Sequence, residues 1–395
     1  MKKKIFSSVA LAGLALGSAE AADINAFGHL GGLYDQGLSK NNIPTGYTKK
    51  SAYAGGTGHL GVDFGFDALH LGVGAYTGFS IYKTRGMENR YTNRYIDLSD
   101  LYLKYDTGML QIAVGRFNNE FLGSDWLTAY AQGVTLKYQS RSFGIWATWM
   151  NDYTTYGYAQ GRIASELSDW YRFPSSFNHF SIGNRDVVGA GINLKFDWLI
   201  IDPFVHYYRD NYDRTHNGRI QAGAKIAMQF GDEGGPFQST TAFRYMWQNI
   251  SGSSSSKNSM LFWLDQEFLF GGVFKIGAGA YTTTKNGIYT PNNVTRFYTG
   301  TYLTPGYSNI NYFLGKVSSW YVFTGIKSQW VDLDVVYADG DHKEFTAILS
   351  VTIFDQKVKG SLNGISLKVG GGYVSNGFNS AYRRNNVVGF AKLTF

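Results

Sequence analysis

The chain has 395 residues, of which 44% are hydrophobic, 17% are aromatic and only 16% are charged, and its mean hydropathy is -0.21. A soluble domain carries about 25% charged residues, so this surface is short of ions. A mean hydropathy near zero argues against a bundle of membrane-spanning helices. The formal charge of +7 is a modest excess that does not indicate nucleic-acid binding, and the absence of cysteine excludes a disulfide framework.

The first 21 residues have the layout of a secretory signal peptide. Three lysines, Lys2 to Lys4, precede the apolar stretch IFSSVALAGLALG, and Ala19-Glu20-Ala21 forms a small-residue cleavage site. We therefore expect export, removal of residues 1–21, and a mature protein that consists of one domain over residues 22–395. Removal of three Lys and one Glu lowers the formal charge from +7 to about +5.

Residues 217–230 show an alternation that recurs along the chain. Polar side chains occupy one parity, at Asn217, Arg219, Gln221, Lys225 and Gln229. Apolar side chains occupy the other, at Ile220, Ala222, Ala224, Ile226, Met228 and Phe230. Because successive side chains of a strand point to opposite faces, this pattern predicts a strand with one polar and one apolar face.

Alternation of this kind predicts 18 strands, at residues 22–34, 51–66, 68–82, 95–105, 109–116, 131–139, 143–152, 185–196, 199–209, 217–230, 237–248, 259–270, 273–284, 317–327, 330–338, 342–354, 365–375 and 385–395. The segments 95–105 and 365–375 are the weakest, so a count of 16 stays open. Segments 95–105 and 259–270 mix polar and apolar residues on both faces, which a β-bulge would explain.

The connections between these strands alternate in length. One set is short, at residues 67, 106–108, 139–142, 197–198, 231–236, 271–272 and 328–329. The other set is mostly long and reaches about 30 residues at 153–182 and 285–316, which is the layout of a transmembrane antiparallel β-barrel with short periplasmic turns and long extracellular loops. A soluble sandwich or two lipocalin-like barrels would have shorter strands or a composition break between domains.

In such a barrel the apolar faces contact lipid and the polar faces line the lumen. A closed barrel lets every backbone N–H and C=O pair between strands, and 18 strands leave an aqueous channel. At the end of the chain, Val387, Gly389, Ala391, Leu393 and Phe395 share one parity. A terminal aromatic residue after alternating apolar residues resembles the signal that the barrel assembly machinery reads.

The stretch from Asp125-Trp126-Leu127 to Gln132-Gly133-Val134 resembles the Helicobacter-type outer membrane porin family, which is similar to the OprD-type 18-stranded porins. The resemblance implies an 18-stranded channel that passes small solutes and is constricted by inward-folded loops. It implies that the loop 117–130 is the constriction and that Glu120 and Asp125 are its acids. No substrate-binding residues of a particular member match, so the solute stays open.

Parity places six basic residues on predicted lumen faces: Arg185, Lys195, Arg219, Lys225, Arg244 and Lys275. Three acids, Asp332, Asp334 and Glu344, lie further round the wall. If bases and acids occupy opposite sides, a transverse field crosses the channel, and the arginine forks favour small carboxylates or amino acids. The alternative is a weakly selective channel, in which these charges only keep the lumen hydrated.

We therefore expect an outer-membrane porin for passive diffusion of small hydrophilic solutes, in contact with outer-membrane lipid. No catalytic group, cofactor or nucleic-acid partner is expected, and seven histidines without cysteine argue against a metal site. An adhesin or structural barrel without significant transport is the rival, which a conductance measurement would distinguish. Monomer and trimer both stay open.

Overall fold

The computed structural model of the chain describes residues 23–38, 52–83, 95–127, 130–153, 185–210, 218–232, 234–251, 257–288, 296–297, 312–378 and 382–395. The predicted signal peptide, residues 1–21, lies outside these described residues, as does most of the two longest predicted loops. Among the described residues, no helix is long and apolar enough to cross a membrane.

The described residues form 18 strands and one short 3-10 helix, Asn119–Leu122. In chain order, the strands are β1 (Asp23–Gly37), β2 (Ala52–Phe66), β3 (Leu69–Lys83), β4 (Tyr95–Asp106), β5 (Leu110–Asn118), β6 (Tyr130–Gln139), β7 (Phe143–Tyr153), β8 (Arg185–Lys195), β9 (Leu199–Asp210), β10 (Arg219–Phe230), β11 (Phe237–Ile250), β12 (Lys257–Phe270), β13 (Phe274–Thr283), β14 (Ser318–Lys327), β15 (Val331–Gly340), β16 (His342–Gln356), β17 (Ile365–Phe378) and β18 (Tyr382–Thr394). The predicted count of 18 is confirmed, and no strand end differs from its prediction by more than three residues.

The strands form one closed antiparallel ring. Each strand pairs with its neighbours in the chain, and β1 closes the ring by pairing with β18, from His29 opposite Thr394 to Gly37 opposite Asn386. Closure leaves no open sheet edge along the paired strands, so their backbone groups are satisfied without water.

The outer face of the ring is apolar and is bordered by aromatic side chains. Near the short turns, the exposed aromatic residues are Tyr105, Tyr138, Phe143, Phe196, Trp198, Phe230, Phe237, Phe270, Phe274 and Trp330. Toward the other end they are Tyr34, Tyr82, Trp149, Tyr207, Trp320, Tyr337 and Phe345. Between these girdles lie exposed aliphatic residues, including Leu71, Val114, Ile192, Val205, Leu264 and Val322. An aliphatic band between two aromatic girdles is the outer surface of a barrel embedded in lipid.

Two strands with mixed faces have different explanations. In the predicted segment 95–105, the pairing of β3 with β4 skips one residue, since Gly74 is opposite Asp100 and Ala75 is opposite Leu98. Ser99 is therefore the bulged residue, and the expected β-bulge is confirmed there. In 259–270 the expected bulge is wrong, because β12 pairs with both neighbours without a register shift. Its inward residues Leu261 and Trp263 are apolar because they pack against an aromatic cluster inside the barrel.

The connection between β16 and β17 completes the ring beside β1. The backbone of Gly28 in β1 is hydrogen-bonded to the backbone of Phe395, the last residue of the chain. Nearer the start of β1, the hydrogen-bonding partner is no longer β18 but the turn over residues 357–364. The Ala26 N–H donates to the Gly360 carbonyl at 2.7 Å, and the Leu362 N–H donates to the Ala26 carbonyl at 2.8 Å. This turn thereby satisfies backbone groups of β1 that β18 does not reach.

Candidate functional site

The segment after β5 folds into the lumen. Its 3-10 helix begins after Asn118, whose side chain accepts a hydrogen bond from the Glu120 N–H, and it ends at Gly123 in the left-handed conformation, with φ 71°. The Asn119 amide donates to the Leu127 carbonyl at 3.0 Å, so the segment closes on itself. Leu122, Trp126 and Leu127 are buried against inward side chains of the wall. We call residues 119–127 the inner segment.

Asp125 fixes the inner segment to the wall at β10 and β11. Its carboxylate accepts a hydrogen bond from Arg244 Nε on β11 at 2.7 Å and lies 3.4 Å from Lys225 Nζ on β10. Lys225 also pairs with Asp202 on β9 at 2.7 Å. These four charges lie side by side because Lys225 is directly opposite Arg244 and Asp202 in the sheet. The buried Arg244 guanidinium in addition stacks on the Trp263 ring, 4.5 Å from its centroid.

The other predicted basic residues have different surroundings. Arg219 is buried on the inner face of β10, with its guanidinium 5.7 Å from the centroid of the Tyr208 ring. Lys195 is exposed and lines a cavity inside the barrel. Lys275 of β13 pairs with Asp334 of β15, across the intervening strand β14. Arg185 begins β8, and its side chain lies outside the part of the chain that the structure describes.

Three of the predicted acids, Asp332, Asp334 and Glu344, lie beside a lysine or a histidine. Asp334 pairs with Lys275, and Asp332 pairs with Lys368 of β17 at 3.0 Å. Glu344 is fully buried and is 2.9 Å from His342 Nε2. Glu120 is exposed on the inner segment, where its carboxylate accepts from Asn118 at 2.9 Å. Acids and bases of this wall therefore form local pairs. Lys368 was not among the predicted site residues, although its parity on β17 could have indicated it.

A second group of charges, centred on Arg296, was missed by the sequence analysis. Arg296 lies between β13 and β14 and donates two hydrogen bonds to Asp265, of 2.8 and 2.6 Å. It also pairs with Glu267 at 2.8 Å and stacks 3.6 Å from the centroid of the Phe323 ring. Burial by itself lowers the pKa of this guanidinium, but the bonds to Asp265 and the nearby charge of Glu267 outweigh it and hold the pKa above its usual range.

Aromatic residues pack around the Arg296 group and reach the inner segment. The cluster joins Trp263, Tyr281 and Tyr321 of the wall to Phe297, Tyr312 and Phe313 of the β13–β14 connection. Trp126 of the inner segment meets Phe313, with ring centroids 6.2 Å apart. The Tyr321 ring lies directly over Gly279, where a Cβ would be 2.3 Å from the ring, so this glycine makes the close approach possible. The mixed faces of 259–270 were the sequence signal for this cluster.

Two cavities adjoin the inner segment. One, of about 220 Å³, is lined by Leu122–Trp126 and by side chains of β6 to β10. The other, of about 390 Å³, is lined by Glu120 and Phe121 together with side chains of β1 to β6, β18 and the β16–β17 turn. Among the described residues, no group of three histidine, aspartate or glutamate side chains is arranged to hold a metal ion.

Comparison with known proteins identifies the family. Residues 23–327 match the model of the family described as "Putative outer membrane protein". The chain belongs to this family. It is an integral outer-membrane protein whose lipid-facing band and aromatic girdles were described above. No curated protein sequence matches it significantly.

Solved structures show where the fold recurs. OccK9 (OpdG) of Pseudomonas aeruginosa is 12% identical, with a TM-score of 0.64 over 94% of this chain and 99% of that one. OccK5 (OpdH) of the same species is 12% identical, with a TM-score of 0.63 over 94% and 98%. A BenF-like porin from Pseudomonas fluorescens Pf-5 is 12% identical, with a TM-score of 0.61 over 96% and 100%. These likenesses show that the outer-membrane protein has the 18-stranded fold of OprD-type porins.

Proposed function

We propose that this protein is a porin that lets small hydrophilic solutes diffuse passively across the outer membrane, without catalysis or a cofactor. The observation that carries the proposal is the closed ring of 18 strands with an apolar exterior and ionised side chains along its interior. A ring of this size encloses an aqueous channel unless its interior is filled. The inner segment narrows the lumen without filling it, since cavities adjoin it on two sides.

The favoured solutes are small carboxylates or amino acids. Lys225 and Arg244 lie directly opposite each other on the inner faces of β10 and β11, Arg219 lies further along the same face of β10, and Lys195 adds a cation on β8. Arginine and lysine in a channel with low-dielectric walls attract anions and raise their local concentration. Residues 117–130 act as the constriction, and the barrel assembly machinery receives the chain through β18. The segment from Asp125 to Val134 supports membership of the Helicobacter-type branch.

Planar-bilayer recording tests the proposal. The purified protein is expected to give discrete conductance steps, and vesicles that contain it are expected to swell in small carboxylates. Replacing Lys195 and Arg219 with Gln is expected to shift the reversal potential toward cations. The shift should be larger at low salt than at high salt, because ions screen the exposed charge of Lys195. These two residues suit the test because neither is among the residues paired with Asp125.

Two outcomes would contradict parts of the proposal. Absence of conductance steps would favour the adhesin or structural barrel instead of a porin. Normal conductance with an unchanged reversal potential in the double variant would show that the basic side chains do not set selectivity.

A further inference from the structure

The inner segment extends across the lumen from the wall at β5 and β6 to the wall at β10 and β11, and it is held at both places. It leaves the wall at β5 and returns at β6, while Asp125 bonds to Arg244 of β11 and to Lys225 of β10. Trp126 fills the gap beside the anchor by packing against Phe204 of β9 and Phe313 of the β13–β14 connection. The segment therefore divides the ring into an arc from β6 to β10 and a larger arc that contains β1 to β5 and β18.

The cavity in the smaller arc has an excess of positive charge. Its ionisable lining residues are Lys137, Lys195, Lys225, Asp125 and Asp202. Both acids are engaged by Lys225, and Asp125 also by Arg244. Lys137 donates to the Phe121 carbonyl at 2.7 Å, and the described residues supply no carboxylate within 4.0 Å of the Lys137 or Lys195 ammonium group. These two ammonium groups are the charges that an entering anion meets.

The cavity in the larger arc has balanced charge. Its lining contains two lysines, Lys104 and Lys392, and two acids, Asp100 and Glu120, together with two histidines, His29 and His59. Lys104 pairs with Asp106 at 2.8 Å, and Asp100 is held by His59 at 2.6 Å. The remaining wall is largely aromatic, with Tyr76 stacked on His59 at 4.1 Å between ring centroids. Among the residues that the structure describes, none lines both cavities.

We propose that the inner segment splits the channel into two parallel lanes with different solute preferences. The lane between β6 and β10 takes small anions, because the ammonium groups of Lys137 and Lys195 attract negative charge. The lane beside β1 to β5 takes zwitterions and small cations, because two lysines and two acids give its lining charges of both signs and aromatic faces bind ammonium groups. The inference rests on the proposed function, since two lanes have meaning only in a protein that conducts.

Cysteine labelling in planar bilayers tests the proposal, and the natural chain is a suitable background because it contains no cysteine. Gln139→Cys introduces a thiol in the first cavity, and Asn363→Cys introduces one in the second. Both residues are uncharged and lie near the short-turn end of the barrel. Each single variant and the double variant are treated with a bulky uncharged maleimide, and the wild type is treated in parallel as the control for unspecific effects.

Parallel lanes predict partial and additive losses of conductance. Labelling at 139 should remove part of the current and move the reversal potential toward cations, whereas labelling at 363 should remove another part and move it toward anions. The double variant should lose the sum of the two. The proposal is overturned if either single label removes as much current as both together, since that is the behaviour of two sites in one path, or if complete labelling changes no current. A wild type that conducts nothing refutes the porin function itself, and the lanes with it.

Discussion

The contact of Asp125 with Arg244 and Lys225 predicts how firmly the inner segment is docked. Asp125→Asn keeps the shape of the side chain and removes its charge. The side chains of Asp125 and Arg244 are only 16% and 5% exposed, so water replaces little of the lost interaction. A hydrogen bond to a charged group in such a place contributes about 1.5–3 kcal/mol.

The expected effect is a more frequent release of the inner segment from the wall. Since about 1.4 kcal/mol corresponds to a factor of ten, the population of the released form should rise roughly ten- to hundredfold. Arg244 keeps its stacking on Trp263 and Lys225 keeps Asp202, so the barrel itself should remain folded. The change is confined to the segment.

Hydrogen exchange of detergent-folded protein measures this release. Amide protons over residues 119–127 should exchange roughly ten- to hundredfold faster in Asp125→Asn than in the wild type, while those of β10 and β11 keep their protection. Glu120→Gln is the matched control, because it removes one negative charge from the same segment at an exposed side chain that the described residues pair with no cation. Equal exchange in Asp125→Asn, Glu120→Gln and wild type would refute the anchoring role of Asp125.

Three further predictions concern the stability of the barrel. Arg296→Gln leaves the buried Asp265 without its cation and should cost about 3–5 kcal/mol in chemical unfolding, with partial recovery when Asp265→Asn is added. A variant as stable as wild type would contradict the pairing. Leu362→Pro removes the N–H that donates to the Ala26 carbonyl, and it should lower the temperature at which the detergent-folded barrel unfolds. Leu362→Ala keeps this N–H and should lower the unfolding temperature less. Equal unfolding temperatures for the two variants would show that this hydrogen bond does not stabilise the ring. Leu264→Arg puts a charge on the lipid face near the middle of β12 and should lower the free energy of unfolding in vesicles by about 2–4 kcal/mol. Leu264→Ala should lower it less. A similar loss for both variants would place this residue away from the hydrocarbon layer.

The sequence by itself determined the strands, their number and the faces that contact lipid. A strand that separates hydrocarbon from water has to alternate between apolar and polar residues with period two. The lipid-facing side of Ile220 and the lumen-facing side of Arg219 can therefore be assigned from the sequence of β10 alone. Short turns and long loops likewise follow from local composition. The pattern failed at 259–270, where Leu261 and Trp263 face inward although they are apolar.

Only the tertiary structure decided which charges meet. Asp125 and Arg244 are 119 positions apart in the chain, and nothing local in either segment indicates the other. Arg296 lies in a long connection without periodicity, so its position against Asp265 depends on how that connection folds back into the ring. The face of a strand residue is set by its own parity, whereas the partner of an inward charge is set by ring closure and by the path of the inner segment across the lumen. For that physical reason, the wall could be derived from the sequence and the division of the lumen could not.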